Sequence, residues 1–153
     1  MWSRHDRGIA SYHALPLLAG CSRSDLRLVS GVATRCIVPP GTVLAHQGAQ
    51  PSAFVMVLDG FAEARRDGRP VDAIGAGSHL GEISLVRGTC EPVTAVSRTD
   101  MTVDVVGRRE FRSLYSLVDG FRARIDREIE RRVARWLTPR STVGADTPLT
   151  LTR

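Results

Sequence analysis

The stretch Ile74-Gly75-Ala76-Gly77-Ser78-His79-Leu80-Gly81-Glu82-Ile83-Ser84-Leu85-Val86 holds the residue types best suited to binding chemistry in this chain. Gly81 has no side chain, so its backbone can approach a ligand closely. An ionised Glu82 only accepts hydrogen bonds, which suits a sugar hydroxyl. Ile83-Ser84-Leu85-Val86 reads as one turn of helix whose free N–H groups can meet a phosphate. A second reading uses the same residues without a ligand. Glycines and a short helix can turn a corner, with Glu82 solvated or paired to an arginine. The residues alone leave both open.

Other chemistries are poorly supplied. All 21 strongly basic residues are arginine, which removes Schiff-base lysines, P-loop lysines and lysine general bases. Cys21, Cys36 and Cys90 are odd in number and lack C-x-x-C spacing, so neither a disulfide framework nor a zinc site is expected. His5, His13, His46 and His79 are scattered and show no H-x-H spacing. There is no G-x-S-x-G nucleophile motif. The expectation is a chain with no catalytic set and no metal site. The N-terminus lacks the apolar run of a signal peptide, and Ala53–Leu58 is too short to cross a bilayer. A cytoplasmic protein without a membrane span is expected.

The elements that must hold the Gly81-Glu82 segment follow from periodicity. With 153 residues, 42% apolar and 24% charged, the chain is the size of one ordinary globular domain. Aromatics at 5% supply little for stacking single-stranded nucleic acid. Ser22-Arg23-Ser24-Asp25 offers caps for a short helix bearing Leu26, Leu28, Val29 and Val32. Strands are predicted over 34–38, 42–44, 54–58, 61–64, 71–74, 93–96 and 101–106. Asp59-Gly60 is read as the type I′ turn of a hairpin and Asp67-Gly68 as a further turn. A short helix from Arg109 breaks near Asp119-Gly120. A second then runs from Phe121 to Leu137, with Ile125, Ile129, Val133 and Trp136 in one apolar stripe ended by Pro139. The predicted fold is mainly β: an antiparallel β-roll or jelly-roll barrel with an N-terminal helix and a C-terminal helix pair. Residues 13–137 form this domain, 1–12 precede it, and 138–153 read as a disordered tail.

With that order of elements, Ile74–Val86 resembles the phosphate-binding cassette of the cyclic nucleotide-binding domain. The family pattern runs G-x-G-x-x-F-G-E-[LI]-A-L-[LM], followed after several residues by R-x-A-[TS]. Pro40-Gly41 after the first strand and Leu58-Asp59-Gly60 also match. The resemblance implies a ligand such as cAMP or cGMP. Glu82 would take the ribose hydroxyl, the amides of Ser84 and Leu85 the phosphate, and Thr94 would sit near the base. Gly81, Ile83 and Val93 complete the candidate site. The most informative departure is Glu91, which kinase-type spacing puts in place of the family's phosphate-binding arginine. Val93 stands in place of the small residue. Arg87 and Arg98 are the nearby candidates for a substitute cation. The implied function is a stand-alone regulatory module that binds a cyclic nucleotide or related phosphorylated ligand weakly or atypically. The alternative is a ligand-independent pseudo-receptor acting through its C-terminal helix.

The helix from Phe121 to Leu137 has six arginines against Asp126, Glu128 and Glu130. It is read as a solvated charged face with Glu128–Arg132 and Glu128–Arg131 pairs. Its apolar stripe either folds over the roll or pairs with a second copy or a partner protein. Sixteen residues after Leu137 are too few for a helix-turn-helix reader, so direct DNA binding is not expected.

Overall fold

The structure, a computed structural model, describes residues 9–139. Residues 140–153 of the expected tail and the first eight residues lie outside the described part. Helical residues 9–12 and a 3-10 turn, Pro16–Leu18, lead into α1 (Arg23–Val32), whose N-cap Ser22 accepts from the Asp25 amide at 3.0 Å. Eight strands follow: β1 Ala33–Val38, β2 Val43–Ala45, β3 Ala53–Asp59, β4 Ala62–Arg66, β5 Arg69–Ile74, β6 His79–Leu80, β7 Thr94–Ser97 and β8 Met101–Gly107. Helix α2 (Glu82–Arg87) interrupts them between β6 and β7, and α3 (Arg108–Leu117) and α4 (Asp119–Arg132) close the chain. A wide π turn, Val133–Leu137, extends α4.

The strands form two antiparallel four-stranded sheets, ordered β1-β8-β3-β6 and β2-β7-β4-β5. The architecture is the expected roll with helices, as two sheets rather than a closed barrel. Strand β3 is buried continuously from Phe54 to Val57 because both its faces are covered. On one of them Phe54 packs against Phe111 of α3 and Phe121 of α4, with ring centroids 4.8 and 5.8 Å apart. The apolar stripe of α4 is buried in the chain's own core: Phe121, Ile125 and Ile129 are at most 5% exposed.

The expected Asp59-Gly60 hairpin is not a hairpin. Strands β3 and β4 belong to different sheets, so Gly60 makes a corner at which the chain changes layer. Its φ is +79°, and a Cβ there would lie 2.1 Å from the Asp100 carbonyl oxygen of the β7–β8 connection, which changes sheets alongside it. The Phe61 amide fastens the corner by donating to Thr99 Oγ1. The hairpin lies one turn later. Asp67 and Gly68, both at positive φ, join β4 to its ladder partner β5.

The helix break is at Val118, whose backbone is extended. Among the described residues, Ile9 and Tyr12 are already packed in the core, ahead of residue 13. Tyr12, 1% exposed, donates its hydroxyl to Asp104 on β8 at 2.7 Å. The β1–β8 register sets Arg35 opposite Asp104, and the guanidinium donates to both carboxylate oxygens. This network staples the N-terminal residues to the first sheet. Tyr12→Phe is expected to lower unfolding stability in urea by about 1–2 kcal/mol, with Arg35 continuing to compensate Asp104. A change within measurement error would show that the hydroxyl is not part of the staple.

Candidate functional site

Helix α2 begins where only glycine fits. Gly81 has φ +103°, and a Cβ there would lie 2.5 Å from the Ala53 carbonyl oxygen on β3. This close approach sinks the first residue of α2 into the interior, and Glu82 is 0% exposed. A buried carboxylate needs compensation, and two elements provide it. His79 of β6 sets Nδ1 3.1 Å from Glu82 Oε1. Arg132, at the end of α4, donates Nη1 to Glu82 Oε2 at 2.8 Å and Nη2 to Ser78 Oγ at 2.9 Å. Burial alone would push the Glu82 carboxyl up. The Arg132 charge, then the His79 contact, outweigh it and hold the group down at about 2.

Arg132 is itself 3% exposed. Its Nε lies 3.1 Å from Glu128 Oε2 but makes no hydrogen bond, so Glu128 contributes charge rather than a directed contact. The Trp136 ring covers the guanidinium with its centroid 4.6 Å away. The indole N–H of Trp136 then donates to Asp72 of β5 at 3.0 Å, and Arg135 pairs with the same carboxylate at 3.2 Å. The end of α4 and its π turn are thus fastened to both the cassette and the second sheet.

Glu91 lies inside this arrangement, 8% exposed. Its Oε1 accepts from Ser84 Oγ at 2.6 Å, while its backbone is held by Ala49 and Gly48. Burial raises its carboxyl above the usual range; the Ser84 bond lowers it, and the Glu82 charge raises it further. Leu80–Ile83, Glu91–Val93 and Trp136 enclose a cavity of only about 10 Å³, close to the smallest space that admits one water.

The structure therefore brings together Gly81, Glu82, Ile83, Ser84, Glu91 and Val93. Thr94 begins β7, where its Oγ1 accepts from the Gln47 amide at 3.0 Å. The Leu85 amide already donates to the Gly81 carbonyl at 3.2 Å. Neither proposed substitute cation enters the site. Arg98 pairs with Glu63 at 2.6 Å, and Arg87 is exposed on α2. Arg66 instead reaches the Glu91–Thr94 segment, donating to the Pro92 carbonyl at 2.7 Å.

The solvated-face reading of the last helix fails at Arg132, which turns inward to Glu82. His79, Arg132, Trp136 and Asp72 were missed as site residues. Positions 125, 129, 132 and 136 follow steps of four, three and four, so Arg132 lies on the apolar stripe. A cation there demands a buried anion.

Arg132→Ala strands the Glu82 charge and is expected to destabilise the protein by about 3–5 kcal/mol. Glu82→Leu with Arg132→Met should recover most of that loss in urea unfolding. Because the folded-state value of Glu82 is depressed, its stabilisation is complete above the ordinary 4.5 and disappears as pH falls from there to about 2. Glu82→Gln should flatten the acid-unfolding curve across that window. An unchanged curve would show that the pair does not govern acid stability.

Comparisons with known proteins bear on the fold and the family. Residues 35–117 match the family model described as the cyclic nucleotide-binding domain. The cAMP-dependent protein kinase regulatory subunit of Yarrowia lipolytica is 26% identical over 102 residues, covering 65% of this chain and 27% of that protein. The chain thus spans about a quarter of the length of that relative. The Toxoplasma gondii kinase regulatory domain in complex with cAMP aligns with a TM-score of 0.74 at 18% identity, over 86% of this chain and 50% of that one. The regulatory subunit of a cAMP-independent protein kinase A from Trypanosoma cruzi, bound to guanosine, aligns with a TM-score of 0.71 at 18% identity, over 86% and 46%. Among the described residues no helix is long and apolar enough to cross a membrane. The matched residues run from β1 through α3 and so take in both sheets and α2, and this chain belongs to the cyclic nucleotide-binding domain family.

Proposed function

We propose that this chain is a non-enzymatic regulatory module whose cassette disfavours a cyclic phosphate and suits a ligand carrying hydroxyls in its place. The observation behind this reading is the buried Glu91 carboxylate on Ser84. A cyclic nucleotide brings a phosphodiester anion into a site that offers two carboxylates, one already paired with Arg132. Glu91 provides no cation for the phosphate, and when ionised it repels it. Replacing a charge-assisted bond in this way costs roughly 1.5–3 kcal/mol, or about 10- to 150-fold in affinity. An uncharged nucleoside meets the same site differently. A terminal hydroxyl donates to Glu91, and ribose hydroxyls donate to Glu82 once Arg132 yields. Thr94 lies toward the base. The guanosine bound by the cAMP-independent trypanosome relative supports this choice of ligand class.

A second reading is favoured by the closed pocket. Arg132 occupies the Glu82 carboxylate and Trp136 covers it, leaving about 10 Å³ where small-molecule sites typically offer roughly 300–1,000 Å³. In this state the domain works without a ligand, as an interaction module for a partner protein.

Calorimetry with cAMP, cGMP and guanosine on the unmodified chain, Glu91→Arg and Glu91→Gln separates the readings. The first expects weak or absent cyclic nucleotide binding, measurable guanosine binding, and at least a tenfold gain for cAMP in Glu91→Arg. Glu91→Gln keeps an acceptor for Ser84 and removes the charge, so an intermediate gain is expected. No binding by any form supports the ligand-independent module. Tight cAMP binding by the unmodified chain, unimproved in either variant, would overturn both.

A further inference from the structure

A groove far larger than the cassette cavity, about 550 Å³, lies between the 3-10 turn, the β5–β6 connection and α4. Arg124, Arg127 and Arg131 of α4 line it, on steps of three and four that place them along one face over about 10 Å. Ala14, Pro16 and Leu17 form an apolar wall, and Gly77 adds backbone without a side chain. The positive charge is poorly compensated. Arg124 donates to the Pro16 carbonyl at 3.2 Å, a neutral acceptor. Arg127 has no hydrogen-bond or ion-pair partner among the described residues. Arg131 is 3.3 Å from Glu128, whose other oxygen faces Arg132. One shared carboxylate thus stands against three groove guanidiniums.

We propose that this groove is a second binding site, separate from the cassette, for a small ligand bearing a polyphosphate group. The guanidinium fork matches phosphate oxygens in pairs, which a row of ammonium groups would not. Three forks along one helix face suit linked phosphates, and the apolar wall suits the organic remainder of such a molecule. A recess of this volume is the size of a small-molecule site rather than of an extended peptide track. The groove also adjoins the cassette through shared residues. Ser78 and His79 line it while bonding Arg132 and Glu82.

The test is calorimetry of the full chain with inorganic tripolyphosphate at low salt, against inorganic phosphate and hexaglutamate. Tripolyphosphate is expected to bind at one site, more tightly than either comparison anion and more weakly as salt rises. Arg127→Gln and Arg131→Gln should each weaken it by roughly five- to tenfold, since exposed charge-assisted bonds contribute less than buried ones. The pair Arg109→Gln and Arg112→Gln, exposed on α3 outside the groove, should leave it unchanged. No tripolyphosphate binding, an equal loss in the α3 pair, or tighter binding of hexaglutamate would each overturn the proposal. The first would show that the groove is not an anion site. The second would reduce the effect to the chain's +5 net charge, and the third would assign the groove to an acidic peptide.

Discussion

A carboxylate with no access to water has to be answered by a cation, and the arrangement around the cassette follows from that demand at Glu82. Gly81 permits the close approach to β3 that buries Glu82. Only a long side chain arriving from another element can then neutralise it, so the end of α4 must lie over α2. Arg132 satisfies the carboxylate, Trp136 shields the pair, and Asp72 fixes Trp136. Each contact has its reason in the one before it. Removing one charge leaves the other stranded, which is why a single substitution is expected to cost more than replacing both.

Glu91 sets the second constraint. Two buried carboxylates in one cassette oppose each other, and the two groups resolve this differently. Glu82 stays ionised against Arg132, while burial and the Glu82 charge favour the protonated form of Glu91. Among the described residues no guanidinium hydrogen-bonds the Glu91 carboxylate, although Arg66 bonds the next residue's carbonyl. On the proposed reading, the site suits a hydroxyl-bearing ligand rather than an anion.

Much of the fold was legible because strand periodicity, Pro-Gly and Asp-Gly turns, and the final apolar stripe are local signals. Gly81 and Glu82 were legible through the resemblance of 74–86 to the cassette, since the residues alone left a ligand site and a paired carboxylate equally open. Asp59-Gly60 misled because a positive-φ glycine after a strand serves a hairpin or a sheet-changing corner equally well. The difference lies in the Asp100 carbonyl across the chain, which no local pattern records. Arg132 was hidden for a related reason. Its neighbours Glu128 and Arg131 make the ordinary helix-surface pair, and its true partner is fifty residues earlier in sequence. The step from Ile129 through Arg132 to Trp136 was the available clue.

The Arg132–Glu82 pair has a consequence for how such a domain can be controlled. A guanidinium keeps its charge at every physiological pH, and Glu82 titrates far below neutrality. Protonation of Glu82 therefore does not release the clasp in a living cell's ordinary range. Enzymes that acetylate or ubiquitinate lysine find no side chain to act on in this sequence. What remains is competition: on the proposed reading, the clasp opens to whatever offers Glu82 better donors or Arg132 a better anion.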